Sequence, residues 1–97
     1  MKTGGAVYIL TNLTHTVLYI GVTSDLLVRI QQHKQKTDPG SFTAKYNCIK
    51  LVYYETFLRI EEAILGEKRL KNWHREWKMN LINEFNPQWL DLYERLD

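Results

Sequence analysis

AVYILTNLTHTVLYIG, residues 6–21, holds two apolar runs on either side of a short polar stretch, with Tyr8 in the first run and Tyr19 in the second. Strand side chains alternate between faces, so Val7 and Ile9 share one face of the first run, and Leu18, Ile20 and Val22 share one face of the second. A hairpin that buries these aliphatic residues together sets Val7 opposite Ile20, Ile9 opposite Leu18 and Tyr8 opposite Tyr19. A slip of one residue would break both aliphatic pairings. The tyrosines then share the other face with Gly21, which adds no side chain and leaves open space beside them. The connection TNLTHT lacks an Asn-Gly or Gly-Gly pair, so a looser loop of about four residues is expected. On the hairpin alone, the tyrosines read as a cross-strand aromatic pair worth about 0.2–1 kcal/mol.

Working outward, residues 5–11 and 17–22 read as strands, and Ser24 caps a helix running to about Lys36 with Leu27 and Ile30 inward. TDPGS, residues 37–41, breaks the chain. IKLVYYETF, residues 49–57, reads as a third strand, and helical patterning covers about 58–73 and 75–85. Asn86-Pro87 ends the last of these helices, because the residue before proline disfavours helical geometry. The tail PQWLDLYERL has the pattern of a short final helix. The order β-β-α-β-α-α predicts an α/β (α+β) fold: a small three-stranded sheet, mixed or antiparallel, flanked by helices. One domain over residues 1–97 is expected, with a motif core at about 4–81 and a C-terminal extension at 82–97.

The composition is that of a folded, soluble domain: 44% aliphatic, aromatic and cysteine residues against 25% charged. Cys48 is the single cysteine, which excludes an internal disulfide and a multi-cysteine zinc site and makes the cytoplasm the simplest location. No apolar run approaches the ~18 residues needed to cross a membrane. MKTGGAVYIL makes a better strand than a signal peptide. Net charge is only +2, but KRLKNWHREWK concentrates Lys68, Arg69, Lys71, Arg75 and Lys78 against the single acid Glu76. Two readings stay open for it: a solvated face, or a phosphate-facing ridge with Trp73 and Trp77 anchored beneath.

Two further features bear on the tyrosines. Arg29 and His33, four residues apart, share one face of one helix. An arginine can hold a phosphate oxygen and an imidazole can move a proton, whereas Lys34 and Lys36 read as solvated. Glu67 falls on the apolar stripe Ile60, Ala63, Ile64, Leu70, Trp73, and an inward carboxylate is costly unless paired or bound to a metal. Neighbouring Gly66 allows something to approach closely. A cation site at Glu67 and an ion pair with Arg29 or Lys71 are equally compatible with this placement.

The ordered set resembles the GIY-YIG nuclease superfamily. Ala6-Val7-Tyr8 stands for the first motif and Tyr19-Ile20-Gly21 for the second, with ten residues between the tyrosines. VTSDLLVRIQQHK, KLVYYE and ILGEKRLKNWHREWK follow in order, so the resemblance covers nearly the whole chain and is most similar to the stand-alone bacterial branch. Ala6 departs from the usual Gly, which makes the start of that strand the place to examine. The resemblance implies a nuclease using one divalent cation, Mg or Mn, with Glu67 as its ligand and Arg29 at the scissile phosphate. It makes Tyr8 the general base or nucleophile activator, Tyr19 a positioning group, and His33 a position filled by His or Tyr. Arg29 and the cation would favour the phenolate form of Tyr8. Nucleic acid is the implied partner, DNA first and in a repair setting, with Lys68, Lys71, Arg75, Lys78 and Asn86 as contacts. The alternative is a nucleic-acid-binding module with little or no cleavage. The C-terminal segment, with Trp89, Leu90, Leu92 and Tyr93, either packs on its own domain or pairs with a second copy or a protein partner.

Overall fold

The β-rich run around Tyr8 forms β1 (Gly5–Thr11), and every one of its residues is buried. The reason is its place in the computed structural model, which describes residues 4–96. β1 is the middle strand of an antiparallel sheet ordered β2-β1-β3, with β2 at Leu18–Thr23 and β3 at Lys50–Phe57. Residues 1–3, part of the N-terminal stretch weighed above as a leader, and Asp97 lie outside the described residues. Four helices surround the sheet: α1 (Leu26–Lys34), α2 (Phe42–Lys45), α3 (Ile60–Asn72) and α4 (Arg75–Phe85), followed by a 3-10 turn at Leu92–Arg95. Among the described residues no helix is long and apolar enough to cross a membrane.

Both faces of the sheet carry a core. Val7, Ile9 and Ile20 pack with Ala63 and Leu70 of α3 and Ile82 of α4. Ala6, Tyr8 and Leu10 pack on the opposite face with Leu26 and Ile30 of α1, Leu51, and Leu92 of the closing turn. The aliphatic alternation therefore assigns faces as expected, but the tyrosine face is covered as well. Ala6 causes no disturbance: it is 2% exposed and pairs regularly with Thr23 and Thr56.

The hairpin register differs from the predicted one by two residues. Val7 pairs with Val22, Tyr8 with Gly21, Ile9 with Ile20, and Leu10 with Tyr19. An even shift keeps every side chain on its face, so alternation cannot distinguish the two registers. The loop decides between them. Asn12 accepts from the backbone N–H groups of Thr16 (2.9 Å) and Val17 (3.1 Å), and Thr11 donates to Val17 O (2.7 Å). These bonds close a six-residue connection rather than the expected four, with His15 in the left-handed region at φ 59°.

Other boundaries move for local reasons. Asp25, not Ser24, caps α1 by accepting from Val28 N–H. The short α2, capped by Ser41, lies in a segment the sequence reading left without structure. β1 and β3 slip past each other between Ile9 and Leu10, so Val52 and Tyr53 both join the α3–α4 core. The carbonyl of Val52 accepts from Asn86 Nδ2 (3.2 Å). A bulge leaves one residue outside the ladder, and Asn86 supplies the missing bond.

The C-terminal segment is spent on its own fold. Trp89 is 8% exposed and Leu92 4%, which removes the two strongest anchors proposed for a partner or second copy. Asp91 ties three elements together. Its side chain accepts from Leu51 N–H (3.2 Å) and Tyr93 N–H (3.1 Å) and pairs with Lys34, which also donates to Ile49 O (3.0 Å). Lys34 is therefore a structural cation rather than a solvated one. Asp91→Ala leaves two amides without this acceptor and Lys34 with only the Ile49 carbonyl. The expected loss is about 2 kcal/mol, or roughly 10 °C in Tm for a domain of this size, measured by thermal unfolding followed by circular dichroism.

Candidate active site

Tyr8 stands at the centre of the molecule, 1% exposed, because β1 is covered on both faces. Its ring lies across Gly21 on the neighbouring strand. A Cβ at Gly21 would fall 2.3 Å from Tyr8 Cζ and 2.4 Å from its hydroxyl oxygen, so the space expected beside the glycine is filled by Tyr8 itself. The register makes the tyrosines diagonal neighbours, with ring centroids 6.3 Å apart. His33 completes a cluster of three rings, 5.6 Å from Tyr8 and 5.7 Å from Tyr19.

The Tyr8 hydroxyl lies 2.9 Å from His33 Nε2, and His33 Nδ1 lies 2.9 Å from Thr43 Oγ1 on α2. Burial, then the charge of any Tyr19 phenolate, pushes the Tyr8 phenol well above its ordinary range; Arg29 opposes this and Glu67 adds to it. Burial, then Arg29, pushes His33 below the usual histidine value. Tyr8 therefore keeps its proton and donates it to the neutral Nε2, and His33 Nδ1–H donates to Thr43. Without a bound cation the phenol form is favoured, because desolvation outweighs the arginine. Thr43 is 3% exposed and escaped the sequence reading; Ser41 as a helix cap was its one local signal.

Arg29 lies one turn before His33 and is exposed. It lines a cleft of about 330 Å³ together with Tyr19, His33, Lys36, Phe42 and Thr43. Glu67 reaches the same neighbourhood from α3, close enough for its charge to act on Tyr8. Its carboxylate is 15% exposed and bonds Lys71, one turn on, at 3.1 Å. Of the two ion pairs left open above, the one with Lys71 forms. An i,i+4 pair of this kind is worth about 0.3–0.5 kcal/mol, and the Lys71 side chain is 54% exposed, so the pair gives way readily to a stronger cation. Among the described residues no three His, Cys, Asp or Glu side chains form a ligand cluster. One sunken carboxylate fits a cation that keeps most of its waters, as Mg²⁺ does, and does not fit a cage of protein ligands. Gly66, beside it, lets Phe57 and Val7 pack closely: a Cβ added there would lie 3.2 Å from Phe57 Cζ and 3.4 Å from Val7 Cγ2. Ile64 lies off the buried stripe, 37% exposed.

The basic ridge divides between two helices. Lys68 is exposed on α3. Lys71 and Lys78 line a shallow depression with Tyr19 and Phe42, beside the tyrosine cluster. Arg75 is turned to the hairpin loop and donates to Thr16 O (2.9 Å). Trp77 is 53% exposed and anchors nothing beneath the ridge. Asn86 is corrected outright as a nucleic-acid contact. It is 5% exposed, and both its amide donor bonds are made inside the chain, to Val52 O and Leu90 O.

The site is a buried tyrosine hydrogen-bonded to a neutral histidine, with an arginine and a sunken carboxylate in charge reach, beside an open cleft. Residues 4–80 match the GIY-YIG catalytic domain, and the chain belongs to that family, whose members are of nuclease type. No curated protein and no solved structure matches the chain.

Gly21→Ala forces the Tyr8 ring out of place and is expected to cost about 1–3 kcal/mol in urea denaturation. The cost should shrink in a Tyr8→Leu background. Gly40→Ala, whose Cβ would meet nothing nearer than 3.8 Å, should change stability by less than about 0.5 kcal/mol.

Proposed function

We propose that the protein is an endonuclease that hydrolyses phosphodiester bonds in DNA with one divalent cation, Mg²⁺ or Mn²⁺, held at Glu67. The observation that carries this reading is the 2.9 Å bond from Tyr8 to a neutral His33, with Arg29 beside both. Hydrolysis needs a water stripped of a proton and compensation for the charge that builds on the phosphate. As Tyr8 takes a proton from the attacking water it passes its own hydroxyl proton to His33 Nε2, so no phenolate has to form in the buried site. Thr43 accepts from Nδ1–H throughout and steadies the imidazolium that results. Arg29 lies in the cleft wall, where its guanidinium meets the phosphate oxygens. Tyr19 flanks the same position and orients the phosphate. A cation bound at Glu67 would supply further charge compensation and help the departing oxygen. Lys71, released from Glu67 by that cation, would turn to the nucleic-acid backbone with Lys78.

Purified protein with Mg²⁺ or Mn²⁺ is expected to cut DNA. Glu67→Ala should abolish cleavage while its circular dichroism spectrum and Tm stay near wild type, since the pair it loses is weak. Cleavage that survives Glu67→Ala overturns the reading. Salt-sensitive binding with no cleavage under any metal replaces it with a binding module.

The pH dependence follows from His33. Nε2 accepts the Tyr8 proton only while His33 is neutral, and its pKa is lowered from 6.5. The cleavage rate should hold as pH falls to 6.5 and drop with unit slope at some lower pH. The unfolded chain titrates near about 6.5 and binds the proton first. Stability is therefore also lost as pH falls from there through the folded value. Urea unfolding of His33→Gln should lack that increment of loss. A rate already falling well above pH 7 would assign the acid limb to another group.

A further inference from the structure

An aromatic ladder leads out of the cleft. Tyr19 stacks on Phe42 (centroids 5.9 Å, planes 28° apart), and Phe42 meets Tyr46 at 4.7 Å. Phe42 is 48% exposed and Tyr46 43%, although Thr43, next to Phe42, is 3% exposed. Thr43 is the anchor: it is bonded to His33, so the exposed rings are held at a fixed offset from the proton-transfer site. Phe42 and Tyr19 form the wall shared by two concave surfaces. One carries Arg29 and Lys36, the other Lys71 and Lys78. Lys45 lies over the Tyr46 ring, 5.5 Å from its centroid. A half-exposed aromatic ring set between cations suits a strand that alternates flat bases with phosphates. A base inside a duplex stacks on its neighbours and offers no free face to a protein ring; an unpaired base does.

We propose that Phe42, extended by Tyr46, is a stacking platform for an unpaired nucleotide next to the scissile phosphate, so that the preferred substrate contains a single-stranded or extruded segment. The position of that phosphate rests on the nuclease reading above; the platform itself is tested by binding alone. The full-length protein in EDTA at low salt is titrated into a fluorescent 12-nucleotide DNA strand, the same sequence as a duplex, and the matching RNA strand. Wild type should bind the single strand more tightly than the duplex. Phe42→Leu keeps apolar bulk but removes the ring face, and should weaken single-strand binding about 10-fold, the size of one lost base stack, with duplex binding unchanged. Phe42→Tyr should restore it, and Tyr46→Leu should weaken it less. Equal losses on strand and duplex, or none, overturn the platform. Failure of wild type to bind any of these nucleic acids overturns it too and hands the exposed rings to a protein partner. Binding of the RNA strand alone supports the platform while overturning DNA as the substrate. With Mg²⁺ added, the two readings separate. Strand-selective binding without cleavage removes the nuclease and keeps the platform; equal cutting of the single strand by wild type and Phe42→Leu keeps the nuclease and removes the platform.

Discussion

The contact between the Tyr8 ring and Gly21 is the constraint on which the rest of the site depends. A phenol ring can cross to the neighbouring strand only where that strand has no Cβ, and the crossing delivers the hydroxyl to His33 Nε2 at 2.9 Å. β1 is buried on both faces, so the ring sits in a close-packed setting. The geometry of the proton donor is thus a packing result, obtained from the same close-packed core that holds the sheet together.

That burial also sets the chemistry. A phenol in a dry interior keeps its proton, and a half-buried imidazole near a guanidinium stays neutral. In the proposed reaction Tyr8 gains the proton of the attacking water as it gives up its own, so the new charge in the pair is on His33, bonded to Thr43. The charged members, Arg29 and Glu67, come from helices on opposite faces of the sheet, and both charges act on Tyr8. The Asp91–Lys34 pair holds α1, and so Arg29 and His33, against the C-terminal segment. Residues beyond the matched family core therefore contribute to the rigidity of the site.

Several features were legible in the chain because they follow from local periodicity. The period-2 alternation placed Val7, Ile9 and Ile20 on one face and the tyrosines on the other. The helical spacing put Arg29 and His33 on one face and turned Glu67 toward the protein. What stayed hidden depended on partners distant in sequence. Asn86 was placed at the nucleic acid by the resemblance, because nothing local reveals that β3 bulges at Val52 and exposes a carbonyl to it. Lys34 looked solvated because its acceptor lies fifty-seven positions away. Thr43 and Phe42 sat in a segment too short to show any period.

The sequence alone therefore determined the three strands, the long helices, the faces of the hairpin and the candidate set Tyr8, Tyr19, Arg29, His33 and Glu67. Each follows from side-chain spacing along one element or from a motif carried in order. Only the tertiary structure decided the register, the protonation of Tyr8, the partner of Glu67, and the place of α2 against His33. Alternation is blind to an even shift, and desolvation depends on what covers a residue. A hydrogen bond between elements exists only once the sheet and its helices have packed.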